Sequence, residues 1–119
     1  MKLDRCPSSP NCVCSQENPS DTEHYIEALD YDGPTDAAIN AIAQVIESSA
    51  RATITNRSEN RIDAVFVSMI FRFKDDVSFL IDADDKKIHF RSASRVGKSD
   101  LGVNRKRLAA LVPQIKAKL

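Results

Sequence analysis

The sequence has no tryptophan, and aromatic residues fill only 6% of its 119 positions. A chain so poor in flat side chains is a weak candidate for stacking on unpaired bases. It also lacks a surplus of charge: 17 basic residues balance 17 acidic ones. Net charge therefore argues neither for nucleic acid nor for an acidic partner. No apolar run approaches the ~20 residues that span a bilayer, so no transmembrane segment is expected. A P-loop, a dinucleotide-binding G-x-G-x-x-G, a zinc-protease H-E-x-x-H and a hydrolase G-x-S-x-G are all missing. The enzyme classes built on those motifs are excluded with them. No repeat and no low-complexity tract interrupts the chain, and no cofactor is implied.

What is present describes one domain over residues 1–119. Composition is 42% hydrophobic and 29% charged, a globular rather than a disordered balance. A chain of this length buries roughly two thirds of its unfolded surface and needs no staples. Residues 1–23 read as an irregular lead-in, punctuated by Pro7, Pro10 and Pro19 with Ser and Asn between them. An α+β core is expected over 24–119. A first strand falls at 24–29, followed by the turn Asp32-Gly33-Pro34. A helix over 36–49 carries an apolar stripe at helical period, with Thr35 as its N-cap. Strands follow at 52–56, 62–73, 77–82 and 87–93. The stretch 62–73 is apolar on both faces, as in a central strand. A final helix over 103–119 holds Pro113, where a kink or break is expected. The order β-α-β-β-β-β-α with short polar links predicts a two-layer sandwich. Its mainly antiparallel sheet has about five strands, with two helices on one face.

The three cysteines lie at 6, 12 and 14. Their spacing with His24 does not match the paired Cys-x2-4-Cys halves of structural zinc sites. A Cys6–Cys12 disulfide closing a proline-rich turn and a set of free thiols are the two readings left open. Cys–His catalysis would need His24 or His89 as its base, and His89 sits in a strand pattern. Asp75-Asp76 could serve as an acid/base pair. Neighbouring strand residues point to opposite faces, however, so both cannot aim at one substrate unless the chain bends.

The concentrated polar chemistry runs from Arg91 to Arg107, between the last strand and the last helix. That segment carries +5 and the rest of the chain −5. Gly97 and Gly102 let the backbone turn tightly or approach a ligand. A helix start offers unpaired N–H groups, and Arg95, Arg105 and Arg107 can reach carboxylate or phosphate in bidentate fashion. Two readings compete. In one, a small anion or acidic headgroup sits in a pocket of Arg72, Arg91, Ser92, Ser94, Arg95, Asn104 and Arg105, with the 6–12 turn (Ser9, Asn11) as a wall. In the other, Asp75, Asp76 and Asp100 pair with Arg91, Arg95 or Arg105 as an internal brace, and function sits on an exposed apolar patch or an oligomer surface. A hydrolase using Asp75 or Asp76 is a third. Counterparts are thus a small anionic ligand or a protein partner. Nucleic acid is disfavoured, since no aromatic lies between Arg91 and Arg107.

Three stretches carry a resemblance. They are Cys6-Pro7-Ser8-Ser9-Pro10-Asn11-Cys12-Val13, Phe71-Arg72-Phe73-x-Asp75-Asp76-Val77, and Arg91-Ser92-Ala93-Ser94-Arg95-Val96-Gly97 with Ser99-Asp100-Leu101-Gly102-Val103-Asn104-Arg105-x-Arg107. In that order they resemble the domain-of-unknown-function family numbered 1499, over roughly residues 5 to 112. Cys14 departs from it, since the family usually has Ser there. The resemblance implies no reaction and no ligand. It implies relatives in bacteria and photosynthetic eukaryotes, many of them exported or membrane-associated. As it stands, this chain is expected to be soluble and cytoplasmic. It would be exported or membrane-associated if an N-terminal segment had been removed. If the three polar stretches converge in the fold, they make one site.

Overall fold

A computed structural model describes residues 2–97 and 102–119. The elements in chain order are β1 (Cys12–Cys14), β2 (Leu29–Asp30), α1 (Thr35–Glu47), β3 (Ala52–Arg57), β4 (Arg61–Val67), β5 (Lys74–Asp82), β6 (Lys87–Ser94) and α2 (Val103–Lys118). The fold is α+β. Four strands in succession, β3 to β6, are joined by short turns and pair antiparallel, in the order β6-β5-β4-β3. β1 and β2 both lie against the free edge of β6, β1 at Arg91–Ala93 and β2 at Lys87–Ile88. The sheet therefore has six strands where about five were expected.

Alternation along the strands divides the sheet into two faces. Ile62, Ala64 and Phe66 of β4, Val77, Phe79 and Ile81 of β5, and Ile88 and Phe90 of β6 point one way. They pack against Ile39, Ile42, Val45 and Ile46 of α1 and Leu108, Leu111 and Ile115 of α2. Both helices thus cover the same face. The opposite face holds a small second cluster of Leu3, Cys14 and Leu80, with Cys6 against it.

Four local expectations need correction. The lead-in is not irregular throughout: β1 lies within it and is fully buried. Three residues between prolines are too few to show a period, and their burial comes from pairing with β6. The strand expected at 24–29 shrinks to Leu29–Asp30, with His24 in a turn and Tyr25 making only an isolated bridge to Cys14. The apolar run 62–73 is not one strand. β4 stops at Val67, and residues 68–73 turn back with Arg72 at φ 57°. Ser68 closes that turn: its N–H donates to the Phe73 carbonyl (2.9 Å), and its hydroxyl accepts from the Phe73 N–H (2.9 Å). Helix α2 passes through Pro113 without a break. Pro113 and Ala109, whose carbonyl would have received the missing N–H, are both on the exposed side.

Candidate functional site

Toward one end of the helix-covered face, apolar side chains give way to polar ones. Continuing the alternation of Phe90, β6 presents Ser92 and Ser94 on the inner face, and β5 presents Asp75 two residues before Val77. β1 adds Asn11 just before its first residue. The first turn of α2 lies over this corner, with Asn104 fully buried. At the centre is Arg107, one turn further along α2. Its Nη2 donates to Asp75 Oδ2 at 2.6 Å, with the two side chains only 12% and 5% exposed. Its Nη1 donates to Asn104 Oδ1 (2.8 Å) and Ser92 Oγ (3.1 Å), and its guanidinium lies 5.2 Å over the Phe66 ring.

The network continues outward. Ser92 Oγ donates to Asn104 Oδ1 at 2.6 Å. Asn104 Nδ2 donates to Ser94 Oγ (2.9 Å) and to the Asn11 carbonyl (3.2 Å). Asn11 Nδ2 in turn donates to the Gly97 carbonyl (2.8 Å), and Ser9 Oγ donates to Asn11 Oδ1 (2.8 Å). A buried ion pair of this kind holds only where its remaining donors and acceptors are engaged, and here Ser92 of β6 and Asn104 of α2 engage the second amino group of Arg107.

The other arginines are elsewhere. Arg95 lies on the outer face and grips Asp76 with two contacts of 2.9 Å (Nε to Oδ2, Nη2 to Oδ1). Asp75 and Asp76 thus do point to opposite faces, and each carboxylate already accepts from an arginine. Arg105 turns to the lead-in, where Nη2 donates to the carbonyls of Thr22 and Glu23 at 3.2 Å. Arg72 is exposed in the 68–73 turn. Arg91 is also on the outer face, between Ser78 and Cys14 in register, and its Nε is buried with no partner. Asp100 lies outside the described residues. The pocket expected from the sequence therefore divides. Ser9, Asn11, Asp75, Ser92, Ser94 and Asn104 come together, whereas Arg72, Asp76, Arg91, Arg95 and Arg105 stand outside that cluster.

The residue missing from the expected pocket was Arg107. The signal was present: Asn104, Arg107, Leu108 and Leu111 fall on one helical face. A cleft of about 610 Å³ does exist, lined by Thr35, Asp36, Ile39, Asn40, Arg57 and the 58–60 turn. It opens at the opposite end of the sheet. Among the described residues no group of three or more His, Cys, Asp or Glu side chains is placed to hold a metal ion.

The lead-in is fastened from several points. Cys6 and Cys12 are joined by a disulfide. Cys14 is a free, buried thiol, and burial pushes its pKa up. The buried His24 ring is held at both nitrogens, with Nδ1 2.8 Å from Asp21 Oδ2 and Nε2 2.8 Å from the Ser9 carbonyl. Those two acceptors, the carbonyl first, raise its pKa.

A family model described as "Protein of unknown function (DUF1499)" matches residues 2–115, nearly the whole chain. The chain belongs to the DUF1499 family. No curated protein matches it. The three polar signatures that carried the resemblance converge in part, and the converging part is packed interior. In this DUF1499 domain they tie the lead-in, the β4–β5 end of the sheet and α2 together. No helix among the described residues is long and apolar enough to cross a membrane.

Proposed function

We propose that this is a non-enzymatic docking module. Its Arg/Ser/Asn/Asp signatures act as an internal brace, and recognition belongs to the apolar turn that the brace supports. One observation carries this reading. Asp75, Asp76, Arg95, Arg105 and Arg107 are each engaged within the protein, whereas the adjoining 68–73 turn presents Met69, Ile70, Phe71 and Phe73 outward. Clustered exposed apolar groups beside a rigid scaffold mark interaction sites. Thermal melting with phosphate or sulfate at millimolar concentration is the test. A brace predicts an unchanged midpoint, both in the native chain and in Arg95→Ala. An anion-specific rise that Arg95→Ala abolishes would overturn the reading.

A second reading, the small-anion site, is favoured by the partnerless Nε of Arg91. It predicts a phosphate-induced rise that disappears in Arg91→Gln, and the same titration decides it.

A further inference from the structure

The turn between β4 and β5 is built against the usual rule. Solvated turns are made of Gly, Asn, Asp, Ser and Pro. This one runs Ser68-Met69-Ile70-Phe71-Arg72-Phe73, with Met69 68%, Ile70 80%, Phe71 72% and Phe73 50% exposed. Phe71 and Phe73 stack on each other at 5.5 Å, so they project as one slab. Val96 adds to the same end, because the Arg95 N–H bonded to the Lys74 carbonyl lays that segment alongside. The site already described does not need these side chains: the brace closes beneath them through Asp75 and Arg107.

Among the described residues, the unpaired charges around the turn are of one sign. Arg72 is in it, Lys74 follows it, and Arg51 is fastened to its base by Nε donating to the Val67 carbonyl at 3.2 Å. All three are exposed, and none is in an ion pair among the described residues. The acids next along the chain, Asp75 and Asp76, are neutralised by Arg107 and Arg95. An apolar, aromatic tip with a collar of free cations matches one environment closely. Apolar side chains enter the acyl boundary, aromatic rings sit at headgroup depth, and Arg and Lys meet anionic headgroups.

Resting on the docking reading above, we infer that the occupant of this tip is an anionic lipid surface. A protein partner fits less well: a standard protein interface takes about 20–30 residues a side, and one six-residue turn supplies far fewer. A second copy fits worse, because a two-fold contact through the tip would set Arg72 against Arg72.

The experiment is flotation of the full chain with vesicles of phosphatidylcholine containing phosphatidylglycerol, beside vesicles of phosphatidylcholine alone. Retention is expected on the anionic vesicles and should fall with added salt. Without phosphatidylglycerol it should be weaker, on the order of a hundredfold for three cations. Ile70→Ser and Phe71→Ser should each weaken it about tenfold. Arg72→Glu should act on the anionic vesicles only. These side chains are exposed, so the variants should melt like the native chain, which confirms that they are folded. No retention on anionic vesicles, or retention unchanged in Ile70→Ser and Phe71→Ser, overturns the inference. So does a dimer in gel filtration that Phe71→Ser dissociates, which would make the occupant a second copy. None of these results bears on the brace, which the phosphate melting decides separately.

Discussion

At the scale of single residues, the side chain with most at stake is Arg107. Removing one partner of a buried, hydrogen-bonded ion pair leaves the other charge stranded in the interior. Asp75→Asn should therefore cost about 3–5 kcal/mol of unfolding free energy, read by urea denaturation. Arg95→Ala, which opens an exposed pair on the other face, should cost no more than about 1 kcal/mol. Equal costs would mean that the buried network is not the brace described here. His24 makes a second residue-scale prediction. Its imidazole faces Asp21, Glu23 and the Ser9 carbonyl, and both ring nitrogens are held by acceptors, which favours the doubly protonated ring. Its pKa in the folded chain is therefore raised above the ordinary value of 6.5. The stabilisation is fully present below that ordinary value and is lost as pH climbs through the raised one. The melting temperature should fall as pH rises above the ordinary histidine value of 6.5, and His24→Gln should flatten that slope. A slope unchanged by His24→Gln would assign the pH dependence to other groups.

At the scale of elements, the sequence and the structure disagree most in the short pieces. β1 has three residues and β2 two, so neither shows a period that could separate strand from turn. Both are strands because β6 offers them an edge. The long elements were legible: α1 from its apolar stripe, and β5 and β6 from alternation around an Asp-rich turn. The run 62–73 misled because hydrophobicity was read as burial. Met69, Ile70, Phe71 and Phe73 are apolar yet face outward, and hydrophobicity alone does not announce it. The disulfide belongs to this scale too, since it joins the first turn of the lead-in to β1. It closes a separation of 6 residues. Reduction, or Cys6→Ser with Cys12→Ser, should destabilise the domain by about 2 kcal/mol through the freedom returned to the unfolded chain. Denaturant titrations with and without dithiothreitol would measure this, and coincident midpoints would count against a staple.

At the scale of the whole molecule, the lead-in serves as one wall of the fold. Leu3, Cys6 and Cys14 cover Leu80 on the face that the helices leave open, and β1 blocks part of the free edge of β6. A chain starting at residue 15 should melt well below the full chain and aggregate on heating, because an unpaired strand edge and an uncovered apolar patch appear together. A truncated chain that melts like the intact one would reduce the segment to decoration. The sequence by itself determined the α+β class, the two helices and the antiparallel hairpins, because those depend on local period and turn chemistry. Only the tertiary structure decided which arginine meets which carboxylate. That depends on strand parity and on where α2 lies over the sheet, and a shift of one residue moves a side chain to the opposite face. By that rule Asp75 went inward to Arg107, Asp76 went outward to Arg95, and the apolar turn beside them was left facing solvent.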